Sequence, residues 1–393
     1  MTESCDIVIV GAGLVGASLA AALAPSGLSV ALVAMADPRS AAASESWDSR
    51  VYAISPGSAA FLTQAGAWQG VDAERTARVE TMRIFGDEPS ARLDFNAYDA
   101  GLRELAFIVE GGLLQSALWQ CVAGAPHVRL FCPAMCDALI SHADYADLVL
   151  NTGITLRAKL VVGADGAQSW VREQAGIKVI AHNYDQSAVV ANFSCALPHQ
   201  DTAYQWFRAD GVLALLPLPG HRVSMVWSTA DAHARELLAL DTGMLAQRVS
   251  EACDGVLGAL SVITAAAAFP LCMQRVGAFV KPRLALVGDA AHNVHPLAGQ
   301  GVNLGFRDAR ELAAVLCDRG ARGYHGDCGD YALLRRYERA RKEDVLSMQL
   351  ATDGLQKLFA SRAVWLSRAR NQGVRWVDSL PLIKKLLVKH AVA

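Results

Sequence analysis

The chain has 393 residues, 53% of them hydrophobic and 19% charged, with a formal net charge of −2. That length and apolar content are ample for a sizeable core and exclude disorder as the main state, and the near-neutral balance offers nothing for nucleic acid to bind. Nine cysteines, an odd number with no Cys-x-x-Cys pair, read as free thiols of a reduced, cytoplasmic protein. Cys132 and Cys136 are too isolated to argue for a metal.

From the N-terminus, Asp6–Val10 predicts a buried strand, with no basic segment before an apolar run and hence no expected secretion signal. Gly11-Ala12-Gly13-Leu14-Val15-Gly16 follows at once and opens an Ala/Leu-rich helix to about Ala24. In that strand–turn–helix context, Gly-x-Gly-x-x-Gly is a dinucleotide fingerprint. Gly11 makes the tight turn, Gly13 admits a pyrophosphate, and Gly16 lets helix and strand pack closely. The second strand, Ser29–Val33, ends at Ala34, where this fold ordinarily has an acid for the adenosine ribose. Asp37 would serve only if the loop folds back. The expectation is a dinucleotide held with one ribose contact fewer, a loss of about 1–3 kcal/mol.

Thr81–Gly86 and Ala91–Phe95 predict a hairpin across Asp87-Glu88-Pro89-Ser90. Leu160–Gly163 predicts a strand that runs through Ala164-Asp165-Gly166 into a helix carrying Ser169, Val171 and Arg172. Ala188–Ala196, Ala203–Arg208, Val212–Leu218 and Arg222–Ser228 predict further strands, with a helix over Met244–Cys253. Gly255–Met273 is the longest uncharged run; its Gly, Ser, Thr and Pro residues mark a helix end and a core strand, not a membrane span.

The densest signal is Arg283–His292, a short buried strand leading to Gly288-Asp289, followed by Pro296-Leu297-Ala298-Gly299-Gln300-Gly301-Val302-Asn303. An acid at a strand tip can accept hydrogen bonds from sugar hydroxyls. The Gly-rich loop can bring backbone N–H groups against a planar ring at a helix N-terminus. The tail from Tyr331 is helical in pattern. From Arg362 to Ala393 it is basic and includes Trp365 and Trp376, which suits either a membrane surface or docking on the protein itself.

These motifs, with Asp48–Ser55, Ala214–Pro219, Val226–Ser228 and the run His295–Asp308, resemble the single-component FAD-dependent aromatic hydroxylases of the para-hydroxybenzoate hydroxylase fold. The resemblance covers nearly the whole chain and is greatest to the ubiquinone-biosynthesis branch. It implies an α/β protein: a discontinuous Rossmann-like FAD-binding domain (residues 1–78, 106–180 and 277–320), a mostly antiparallel substrate domain (79–105 and 181–276) and a C-terminal helical region (321–393).

It further implies an FAD monooxygenase that uses NAD(P)H and O2 and hydroxylates a prenylated phenol through a flavin hydroperoxide, with no metal. Gly11, Ala12, Gly13, Leu14, Val15 and Gly16 would cradle the pyrophosphate, and Gly288 and Asp289 the ribityl chain. Pro296, Gly299, Gln300, Gly301, Val302 and Asn303 would flank the flavin ring. Arg50 would contact the phosphate or ring region and Gln115 the flavin chain, although Gly111 and Gly112 stand where bulkier polar residues are expected. Asp165 and Arg172 would organise the loop near the pyrophosphate. His292 and His295 read as structural, and no side chain is assigned as catalytic. Trp206, Phe207, Pro217 and Trp227 are ring-pocket walls or core.

The expected setting is the cytoplasm, with attachment to the inner membrane face or to a ubiquinone-biosynthesis complex left open. The alternatives are a same-fold hydroxylase of a soluble aromatic, or a non-catalytic accessory subunit, which only Ala34 favours. The absence of Trp-x-Trp-x-x-Pro disfavours a flavin halogenase.

Overall fold

The structure, a computed structural model, describes residues 1–37, 46–86, 92–293, 301–319 and 327–360, with side chains to 350. Apolar runs build a first, largely parallel sheet in the order Val280–Lys281, Leu284–Leu286, Thr155–Gly163, Thr2–Val10, Val30–Val33, Val128–Phe131. Ala146–Leu150 and Cys136–Ser141 extend it in antiparallel fashion. Ile7–Val10, Val30–Val33 and Leu160–Val162 are all buried, as strands covered on both faces must be. Register decides where the turns fall. Val10 pairs with Gly163, and Gly163 with Leu286. Gly11, Ala164 and Val287 therefore leave the sheet side by side. Ala164 N donates to Val10 O at 2.8 Å and Val287 N to Gly163 O at 3.0 Å. Three motifs far apart in sequence thus meet at the carboxyl ends of three neighbouring strands.

The second sheet is mostly antiparallel, running His292–Asn293, Ala267–Val276, Val179–Cys195, Arg222–Ala230, Gly211–Leu218, Thr202–Arg208, Thr81–Phe85, Arg92–Asn96. Its alternation separates two faces. Val189, Ala191, Phe193, Leu213, Leu215, Met225 and Trp227 are buried against Leu237, Leu245 and Val249 of the helices Asp231–Ala239 and Thr242–Ala252. Asp241 caps the latter helix by accepting from Met244 N at 2.8 Å. The strand expected from Ala188 begins at Val179, with a register shift between Asn183 and Gln186. Its first half is largely exposed and lacks the alternation that marks a buried strand. The predicted hairpin is present as Thr81–Phe85 paired with Arg92–Asn96, its turn lying outside the described residues.

A third sheet of Val51–Ile54, Ala106–Glu110 and Ala77–Val79 was not anticipated. It packs Val79 and Ile108 against Ala203 and Leu218 of the second sheet. Ser55 caps the following helix, Pro56–Gln64, accepting from Ser58 N with Pro at the helix start.

Gly301–Cys317 and Tyr331–Ala360 are the long C-terminal helices. Gly255–Met273 holds the strand Leu260–Val262 and most of Ala267–Val276. No helix among the described residues is long and apolar enough to cross a membrane. The basic segment Arg362–Ala393 lies outside the described residues.

Candidate active site

The first turn is shaped by backbone approach. Gly11 has φ +105°, and a Cβ there would lie 2.3 Å from Ala164 O. A Cβ on Gly16 would lie 1.9 Å from Gly11 O, so helix Leu14–Ala22 sits as close to its strand as a bare backbone allows. Gly13 differs: a Cβ there would meet none of the described residues within 4 Å. Gly11 and Gly16 are required by the fold, whereas Gly13 keeps space open at a helix N-terminus, where a pyrophosphate fits. Gln115 Nε2 donates to Ala12 O at 2.8 Å and holds the turn from behind. Val15 packs against both Gly288 and Gly305, locking the first turn to the third.

Gly288 takes φ +60° and turns Asp289 outward. Asp289 is exposed, yet it lies in a recess: the protein mass around it raises its carboxyl pKa, opposed by His292 and Arg50. None of the described residues hydrogen-bonds to its carboxylate, which leaves both oxygens for sugar hydroxyls. Tyr52 and Cys272 both sense the Asp289 charge, and burial raises the pKa of each. The Arg50 guanidinium lies 5.4 Å from the Tyr52 ring centre and 5.5 Å from that of Phe269. Asp289, Arg50, Tyr52, Phe269 and Cys272 thus surround one cleft between the first two sheets.

Beneath Asp289 is a buried charge network. Asp308 is fully buried; it accepts from Gly288 N at 2.8 Å and from Arg341 Nε at 2.6 Å, and lies 2.6 Å from His292 Nε2. Burial acts to raise the Asp308 pKa, but His292 and Arg341 hold it below the ordinary carboxyl range. An ionised carboxylate only accepts, so Nε2 of His292 carries the proton. His292 is structural in this arrangement. Arg341 continues to Asp344, which also pairs with Arg307. Helix Tyr331–Ala360 thereby supports the Asp289 turn.

Arg50 is set by a second network. The Asp48 carboxylate accepts from Arg50 N at 2.8 Å and from Gly112 N at 3.1 Å. Asp48 N donates to the buried Glu110, which Arg75 grips with two nitrogens at 2.7 and 2.8 Å. Asn192 Nδ2 donates to Asp48 O at 2.8 Å and ties the loop to the second sheet. Gly111 has a reason to be small: its Cβ would stand 3.1 Å from the Tyr52 ring and 3.2 Å from Arg50 O.

Asp165 and Asn303 serve the chain itself. Ser169 caps helix Trp170–Gln174 by accepting from Arg172 N at 3.0 Å, and Asp165 braces that cap, accepting from Ser169 Oγ at 2.5 Å and Val171 N at 3.0 Å. Arg172 is buried and donates to Ala290 O at 3.1 Å and Ala167 O at 2.8 Å, joining the second turn to the third. Asn303 accepts from Ser55 N at 2.9 Å and donates to Ala53 O at 2.8 Å. These three residues hold loops in place. Gly301 and Val302 begin the helix behind the cleft, while His295, Pro296, Gly299 and Gln300 lie outside the described residues.

The second sheet turns its other face toward the cleft. Val212, Ala214 and Val226 are half-buried there, and Phe269 is 40% exposed. Cross-strand pairing puts Ala214 beside Val226 and Val212 beside Ser228. Trp206 and Trp227 belong to the helix-covered core, with Pro217 on that face; Phe207 lies on the cleft side, paired with Val212. The small-residue wall was not anticipated, although the alternating Val212-Leu213-Ala214-Leu215-Leu216 pattern carries it. Arg341 had no local signal at all. Among the described residues no His/Cys/Asp/Glu group could hold a metal.

The residues present fit a flavin dinucleotide: an open glycine turn, a carboxylate with no hydrogen-bond partner among the described residues, and an apolar wall share one cleft. The family described as FAD binding domain matches residues 4–349. A 3-demethoxyubiquinol 3-hydroxylase from Escherichia coli K12 is 38% identical over 390 residues, covering 99% of both chains. Ubiquinone hydroxylase UbiL from Rhodospirillum rubrum is 35% identical over 98% of this chain and 89% of its own. The crystal structure of pqsL from Pseudomonas aeruginosa superposes with a TM-score of 0.78 at 24% identity, over 95% of this chain and 100% of that one, and speaks for the fold alone.

Proposed function

The chain belongs to the FAD-binding monooxygenases, in the branch of the ubiquinone-biosynthesis hydroxylases, and on that premise we propose that it hydroxylates the aromatic ring of a prenylated phenol. FAD is its cofactor and NAD(P)H its electron donor. Bound FAD supplies the chemistry: once reduced, it activates O2 so that one oxygen enters an electron-rich ring.

The protein's share is positioning. Gly11 and Gly13 receive the pyrophosphate at the N-terminus of helix Leu14–Ala22. Asp289 accepts from the ribityl hydroxyls, held in place by Asp308 below and by Val15 against Gly288. Arg50 brings positive charge to the cleft, which favours electron density on a reduced ring. Val212, Ala214, Val226 and Phe269 form the wall against which a substrate ring packs, excluding water from the reacting atoms. The observation that carries this reading is Asp289, a carboxylate with no hydrogen-bond partner among the described residues, facing that wall across one cleft. Trp365, Trp376 and the basic charges of the C-terminal segment support attachment to the inner membrane face, from which a prenylated substrate is collected.

Deleting the gene tests the assignment. The expected result is accumulation of a prenylated phenol lacking one ring hydroxyl, cleared by the wild-type chain. An unchanged quinone profile would contradict it and favour a soluble aromatic substrate.

A further inference from the structure

We infer that the adenosine ribose of FAD is held here without a carboxylate, so that the protein does not read the ribose 2′-hydroxyl and fixes its cofactor from the phosphate and ribityl side. This rests on FAD being the cofactor. Strand Val30–Val33 ends at Ala34, the point from which a dinucleotide fold ordinarily sends an acidic side chain to the ribose hydroxyls.

Ala34 is fixed in that position. Its N donates to Phe131 O at 3.0 Å, its O accepts from Ala134 N at 2.8 Å, and it is 7% exposed. Each of these two alanines is followed by an exposed methionine, Met35 at 72% and Met135 at 53%. A thioether packs well against a base or sugar but is a weak hydrogen-bond acceptor. The ribose end therefore offers packing where a charged hydrogen bond is usual.

Two acids among the described residues have other work. Asp165 is taken up by Ser169 Oγ and Val171 N, and Asp37, three residues past Ala34, already has a contact within the chain. The other end of the site keeps the open Gly13 turn and Asp289.

The test uses flavin-stripped protein, titrated by fluorescence quenching with FAD and with FAD lacking the adenosine 2′-hydroxyl. The two should bind within about three-fold of each other, whereas a hydroxyl held by a carboxylate gives a ratio of about ten-fold or more. Ala34→Glu should tighten FAD by about ten-fold and create that ratio. If this variant does not fold, the wild-type ratio decides alone. A wild-type ratio of about ten or more overturns the inference, and its collapse in Asp37→Asn would identify Asp37 as the missing acid. Binding of neither nucleotide would sink the FAD reading itself, whereas tight, 2′-hydroxyl-dependent binding sinks this inference only.

Discussion

Asp308 and His292 meet at 2.6 Å in the interior, Oδ2 to Nε2, directly beneath the turn that presents Asp289. The same carboxylate takes the Gly288 N–H and the Arg341 guanidinium, so one buried acid joins the cofactor turn to two helices. Asp308→Ala leaves Arg341 and His292 without their shared partner and should destabilise the protein by about 3–5 kcal/mol, read by urea denaturation. The Asp308 pKa is held below 3.8, so its stabilising contribution is complete above that pH and is lost as pH falls through the depressed value. In Asp308→Asn, stability should therefore fall less steeply than in wild type below about pH 4.

Asp289 has the opposite sign. Its pKa is raised, so the folded protein disfavours the ionised form and the cost appears as pH rises above 3.8. Asp289→Asn should make the flavin-free protein slightly more stable at pH 7, with the gain absent below about pH 4, while weakening FAD by about ten-fold or more. Thermal melts with and without FAD separate the two effects. Asp289→Ala should fold and lose its flavin.

The glycines of the first turn should part company. Gly16→Ala puts a Cβ 1.9 Å from Gly11 O, and the backbone must move, at a cost of about 1–3 kcal/mol or more. Gly13→Ala meets no atom of the described residues within 4 Å, so its melting without FAD should match wild type while its FAD affinity falls. Equal thermal stability of both variants would contradict these separate roles.

Enlarging the sheet wall should affect substrate and spare the cofactor. Ala214 faces the cleft beside Val226. Ala214→Phe is expected to raise KM for the aromatic substrate by about ten-fold or more, with the FAD dissociation constant unchanged. Loss of flavin in this variant would place the wall elsewhere.

Much of the scaffold is legible in the sequence because its signals are local. Asp6–Gly16 is strand, turn and helix in consecutive residues. Asp289 was legible because a strand and a glycine-rich loop flank it. Arg341 was not, since it reaches Asp308 from 33 residues away on a helix whose pattern says only that one face is buried. Nor was the third sheet, whose strands are three to five residues long and are stabilised by Ala203 and Leu218 from another sheet. Asn303 and Asp165 sat inside a recognised motif, but the motif did not reveal that their side chains brace the chain.

As an aromatic monooxygenase the protein inserts one atom of dioxygen into the ring of a prenylated phenol. The direct measurement is to supply the FAD-loaded protein with NAD(P)H, a prenylated phenol and isotopically heavy O2, and to weigh the product. The expected product carries one additional hydroxyl whose oxygen is heavy, formed only when both NAD(P)H and substrate are present. A hydroxyl drawn from solvent water, or NAD(P)H consumption yielding hydrogen peroxide alone with every prenylated phenol tried, would contradict it.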